Sequence, residues 1–137
     1  MYMNVLKNLP LILSGCISGL ILYQSIMIAP SINKLLNAED ASIYLRYIWP
    51  KFFIIIGLIA LISFLVILFF NTNQNTAKIL TILSFLLMIL CYLIIPSMNE
   101  AKDSFKESTF MILHFASIIM TIITLILNIS VFIFWKY

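Results

Sequence analysis

Four long apolar runs dominate this chain, at 9–30, 51–70, 77–98 and 108–135. Each approaches or exceeds the ~20 residues that an α-helix needs to cross the hydrocarbon of a bilayer. In lipid every backbone N–H and C=O must find its partner inside the protein, so runs of this length are helices. Composition removes the soluble alternative. Of the 137 residues, 64% are hydrophobic and 9% charged, which is more apolar surface than a water-soluble domain of this size can hide. We therefore expect an all-α integral membrane protein: one antiparallel four-transmembrane-helix bundle over 1–137, multi-pass and of bacterial inner-membrane type. Its first partner is the lipid bilayer. The net charge of +3 comes from scattered residues, and without a Lys/Arg stripe nucleic acid is excluded as a partner.

The first run is placed like a signal peptide, but it is longer than the apolar part of one, and Pro30 directly after Ala29 suits cleavage poorly. It reads as an uncleaved span, with Pro10 in its first turn and Pro30 at its end. Gly15 and Gly19 form a Gly-x-x-x-Gly pair, flanked by Ser14, Ser18 and Ser25. Small residues let helices approach closely in lipid. The pair either packs the bundle or joins two copies into a homo-oligomer. Gln24 is the strongly polar residue deep in this span and needs a hydrogen-bond partner there.

The connection 31–49 is too apolar for free solvent, with Leu36, Ile43, Tyr44, Tyr47, Ile48 and Trp49. Asn37 is placed to cap a helix whose first turn holds Glu39 and Asp40. An amphipathic surface helix between spans one and two is expected, with its aromatic residues in the headgroup belt. The short turn 71–76 makes spans two and three neighbours. In span three, Thr81, Ser84, Met88 and Cys91 share a face, and Pro96 is expected to kink or end the helix. The charged stretch 97–107 suggests a solvated helical extension. Trp135 and Tyr137 anchor the far end of span four.

In span four, His114, Ser117, Thr121, Thr124 and Asn128 recur at helical spacing, so they share one face. Such a seam must face protein, water or ligand. Ser117, Thr121, Thr124 and Asn128 read as a packing seam against the third span or the first. His114 differs. Counting residues from the span ends at ~1.5 Å each puts Tyr23, Gln24, Gly57, Cys91, Tyr92 and His114 at one height. Met27, Arg46, Glu100 and Asp103 then lie above them. The candidate ligand or partner layer is His114, Gln24, Tyr92, Tyr23 and Arg46, with Arg46 as a lid over it or as an ion-pair partner of a nearby acid.

Several chemistries fit an intramembrane histidine. It can hydrogen-bond Gln24 or Tyr92, ligate haem iron or copper, or carry a proton in a transport subunit. Met27, Met98 and Cys91 are soft enough to join it on copper(I). No His pair, Cys-x-x-Cys, nucleophile elbow, intramembrane carboxylate pair or phosphate loop accompanies it. The first expectation is a non-enzymatic module that binds a ligand or membrane-protein partner through this layer. The alternative is haem or copper handling, with His114 as the metal ligand.

Several short motifs together carry a resemblance. They are Gly15 and Gly19; Ala29-Pro30; Ala38 to Arg46; Trp49-Pro50-Lys51-Phe52-Phe53; Phe110 to Ser117 around His114; and Asn128. Over nearly its whole length the chain resembles the transmembrane-protein-205-like family of small four-helix membrane proteins. It departs in having Trp49 where Phe is usual and fewer glycines in the first span. The resemblance implies the four-span fold and no settled activity. A looser likeness to copper-resistance-type membrane proteins accompanies it.

Four spans put both termini on one side. Lys7, Lys78 and Lys136 fall there, against Lys34, Arg46, Lys51, Lys102 and Lys106 on the other side with all five acids. Lys/Arg counting puts the connections in the cytoplasm; net charge and Lys7 point the other way. The side is left open.

Overall fold

The computed structural model describes residues 2–136, so Tyr137 lies outside the described residues. Four helical rods form an antiparallel bundle, and each is long and apolar enough to be a membrane span. The first rod comprises α1 (Tyr2–Tyr23), a π-helical turn (Gln24–Ile28) and α2 (Ala29–Leu35). The others are α3 (Ala38–Phe70), α4 (Asn75–Asp103) and α5 (Glu107–Phe134). The rods sit at the corners of a square. α1 packs on α3 and α5, α4 packs on the same two, and among the described residues the backbones of the diagonal pairs make no close approach.

Both termini lie at one end of the bundle, beside the turn 71–74. The Asn71 amide donates to the Lys7 carbonyl at 2.7 Å. Gln74 acts like a piece of backbone: Lys136 N–H donates to its Oε1 at 3.1 Å, and its Nε2 donates to the Lys136 carbonyl.

The expected surface helix is not a separate element. Residues 38–49 are the first turns of α3, which runs unbroken through Pro50. Asn37 does cap this helix, its side chain accepting from Asp40 N–H at 2.9 Å. Proline removes one helical hydrogen bond and crowds the preceding turn. Here the helix is held on both sides of Pro50 by tertiary contacts. After it, Phe53 is buried in the upper cluster against the first rod and α4, and before it Arg46 hydrogen-bonds Asp103 at the end of α4. Trp49 and Phe53 also stack across Pro50, with ring centroids 5.5 Å apart. Membrane helices tolerate proline where neighbours supply such support.

The same correction applies to Pro30 and Pro96. The first rod continues past Pro30 to Leu35, and α4 continues past Pro96 to Asp103. In the first rod the accommodation is visible. Ala29 N–H donates five residues back, to the Gln24 carbonyl, so the hydrogen-bond register slips by one residue just ahead of the proline. In α4, Ile95, Met98 and Ala101 remain buried on both sides of an exposed Pro96, and their packing holds the helix together.

With 33 residues, α3 is about 50 Å long, well beyond the ~30 Å of hydrocarbon. The upper ends of α3 and α4 form a paired overhang that carries Glu39, Asp40, Arg46, Glu100, Lys102 and Asp103, beyond the apolar runs 51–70 and 77–98. Below it lie two apolar clusters. Ile17, Ile21, Phe53, Ile56, Ala60, Met88, Cys91 and Ile95 fill the upper bundle; Ile67, Ala77, Val131 and Trp135 fill the terminal end.

Candidate functional site

The π turn sets the geometry of the site. Up to Tyr23 the first rod packs on α5; beyond it, among the described residues, neither the turn nor α2 makes a close backbone contact with α5. The rod splays, and a lateral cavity of about 480 Å³ opens in the gap. Gln24, Trp49, Phe53, Met98, His114 and Thr121 contribute to its walls, and no Asp, Glu, Lys or Arg does.

Gln24 is the unusual wall residue. It is only 7% exposed, and its Nε2 has no hydrogen-bond partner within the protein. A buried polar group left in this state costs about 1–3 kcal/mol. Ser14, Ile17, Ile21 and Gln24 are buried at α-helical spacing, so Gln24 is the last member of the inward face of α1 and stands where the register slip begins. π bulges are frequent at functional sites.

His114 stands across the cavity on α5. Its ring lies parallel to Phe110, at a centroid distance of 5.6 Å and an angle of 5°. The Ser117 hydroxyl donates to its backbone carbonyl at 2.7 Å. His114 also reaches a second, smaller cavity of about 180 Å³ above, lined by Arg46, Trp49, Met98, Lys102 and Phe110 among others. Leu45, Trp49, Met98 and His114 border both spaces.

Arg46 forms a two-pronged pair with Asp103: Nη1 donates to Oδ2 at 3.0 Å and Nη2 to Oδ1. The pair lies on the overhang, outside the membrane-spanning segments. The guanidinium hydrogen bonds hold the Asp103 carboxyl below its usual range, and the carboxylate raises Arg46 in turn. Lys102 extends over the Phe110 ring, 4.9 Å from its centroid. The charge above the cavities is thus largely engaged.

The five residues placed at or above one height by counting are not all brought together. Gln24 and His114 share the lateral cavity, and Arg46 joins His114 on the upper one. Tyr23 and Tyr92 are 58% and 39% exposed and line neither. Residue counting gives height, whereas rotation about the helix axis decides which way a side chain points. Among the soft donors, Met98 borders both cavities, Met27 is exposed, and the Cys91 thiol faces the Ser117 carbonyl at 3.8 Å. Among the described residues no group of three His, Cys, Asp or Glu side chains comes together.

Ser117, Thr124 and Asn128 are buried and Thr121 is half-buried. Asn128 donates to Ser84 Oγ on α4 at 3.0 Å, so the seam meets the third span. Gly57 is buried against Met88 of α4. Gly15 faces the tip of Phe132 on α5, whereas Gly19 is exposed with nothing within 4 Å of where a Cβ would stand. Trp49 and Phe53 were not singled out as wall residues from the sequence. Their i, i+4 aromatic spacing at the head of a span is the signal that pairs them.

A larger depression of about 750 Å³ lies at the terminal end, lined by Lys7, Asn71, Gln74 and Lys136 among others. The Asn71 and Gln74 amides are spent on closing the chain ends and Asn8 and Asn73 are exposed, so it offers no free buried amide comparable to Gln24. Compared with family models, curated proteins and solved structures, the chain matches none.

Proposed function

We propose that this chain is a non-enzymatic membrane module, and that its lateral cavity holds a small neutral, lipid-soluble ligand between Gln24 and His114. One observation carries the proposal: a buried amide without a protein partner, on a residue that lines a cavity without charged walls. A charged ligand would have to leave its charge unpaired there. A neutral ligand with one polar group satisfies Gln24 or His114 and buries the rest of its surface against Trp49 and Phe53. Ligand sites of this kind are largely apolar, with a few polar groups that fix orientation. The resemblance to the transmembrane-protein-205-like family belongs to this proposal as well, as the expected kinship of the four-span fold.

The test is native mass spectrometry of the full chain released from mild detergent. A neutral lipid adduct is expected on the wild type, depleted in Gln24→Ala and His114→Ala and retained in Tyr92→Phe. Bare protein in every case contradicts the proposal.

Met98 favours a second reading, because its thioether and the His114 imidazole border the same two cavities. Copper(I) or haem iron is the group such a pair would hold. Stoichiometric metal or a haem absorbance band that His114→Ala abolishes would carry that reading over the first.

A further inference from the structure

The bundle core contains a second polar site, remote from the cavities. Between the upper and lower apolar clusters every rod contributes buried polar residues, among them Ser14 on the first, Ser63 on α3, Ser84 on α4 and Asn128 on α5. They share a height. Asn71, at the foot of α3, bonds the Lys7 carbonyl; Ser63 lies eight residues above Asn71 and Ser14 seven above Lys7, roughly 10–12 Å in both cases. The Asn128–Ser84 bond of 3.0 Å levels the other two rods. Gln74 joins the two pairs, since its N–H bonds the Asn71 carbonyl and its side chain bonds Lys136, eight residues below Asn128. The four residues thus lie buried at about one height, one on each rod.

Their hydrogen bonding is incomplete in a matched way. The buried hydroxyls of Thr81, Ser84, Ser117 and Thr124 all donate to a carbonyl one turn back. Those of Ser14 and Ser63 do not, and neither has any protein partner. Asn128 Nδ2 donates to Ser84 Oγ and to the Thr124 carbonyl. A backbone carbonyl only accepts, so the orientation of this amide is fixed and the atom left over is the oxygen. Asn128 Oδ1 is also unpartnered. Two free hydroxyl donors and one free acceptor thus lie buried at about one height on three helices.

We propose that these three atoms bind a single buried water molecule. The water accepts from Ser14 Oγ and Ser63 Oγ and donates to Asn128 Oδ1. Three bonds are the usual complement of a buried water. A cation is disfavoured here, because every ligand oxygen is neutral and all five carboxylates lie at the opposite end of the bundle. The water serves as a structural ligand that connects α3 to α5, a diagonal pair whose backbones, among the described residues, do not approach closely.

The test is thermal unfolding of the full chain in detergent, for wild type, Ser14→Ala, Ser63→Ala and the double variant, in sodium and in potassium buffer. Each single variant should lower Tm by about 2–5 °C. The double variant should lose less than the sum, because both serines act through one molecule. Tm should not respond to the change of cation. If either alanine leaves Tm unchanged or raises it, that hydroxyl was unpartnered and the proposal is overturned. A sodium-dependent Tm that the alanines abolish also overturns it, in favour of a cation.

Discussion

Arg46 and Asp103, 57 residues apart in sequence, join the upper ends of α3 and α4 by two hydrogen bonds at the charged end of the bundle. The pair helps make the connection after the first span a continuation of α3. It also closes the space above His114, which shares the upper cavity with Arg46.

This pair gives a pH prediction with a definite sign. Asp103 is held below its ordinary range in the folded state, so its contribution to stability is complete above the unfolded carboxylate value of about 4. It is lost as pH falls through the lower folded value. Asp103→Asn should remove this part of the acid dependence. Because the pair is solvent-exposed, the effect should be small and weaken in high salt. Thermal unfolding of both proteins between pH 7 and 2 measures it.

Asn128 and Ser84 form the other specific link, between α5 and α4. A double-mutant cycle with Asn128→Ala and Ser84→Ala should return a coupling of about 0.6–2 kcal/mol, the range for hydrogen bonds between membrane helices. Denaturant unfolding in mixed micelles supplies the four values.

Phe105 occupies a left-handed backbone conformation, φ 55°, in the turn between α4 and α5. Lys106 N–H bonds the Ala101 carbonyl and Phe105 N–H the Lys102 carbonyl, the hydrogen-bond pattern of a Schellman cap that usually places glycine at this position. The side chain is 90% exposed, so little packing offsets the strain. Phe105→Gly should stabilise the fold by about 1 kcal/mol, read as a rise in the unfolding midpoint.

Gly19 has open space where a Cβ would stand, and Gly15 meets only the tip of Phe132, at 3.5 Å. Gly19→Leu should leave the monomer's unfolding midpoint within about 0.5 kcal/mol of wild type. Cross-linking in lipid then tests the homo-oligomer separately. A dimer that Gly19→Leu dissolves has its seam on this face, and an unaffected cross-link places the seam elsewhere.

The sequence carried the bundle because its strongest signals act over whole helices. Span length needs no tertiary information, and the burial of Ser117, Thr124 and Asn128 follows from the cost of polar groups in lipid. The capping role of Asn37 was also legible, since a cap depends on three or four adjacent residues. The prolines misled. Pro30, Pro50 and Pro96 each carry a local preference against helix, and contacts from residues far away in sequence, or a slip in register, override it. Tyr23 and Tyr92 share a height with His114 but face away from the cavities. The orphan hydroxyls of Ser14 and Ser63 were hidden as well, because a serine that bonds its own helix and one that does not look alike in sequence.

The central claim is that Gln24 and His114 hold a neutral ligand in the lateral cavity. Trp49 borders that cavity, and Trp135 lies in the terminal-end cluster. A Trp135→Phe background therefore makes Trp49 the sole tryptophan. The most direct measurement is quenching of its fluorescence by a brominated monoacylglycerol titrated into detergent-solubilised protein. The account predicts saturable quenching, with an apparent affinity about 10-fold weaker in Gln24→Ala and in His114→Ala, as the loss of one hydrogen bond would give. Quenching that rises without saturation and is identical in all three proteins would contradict it.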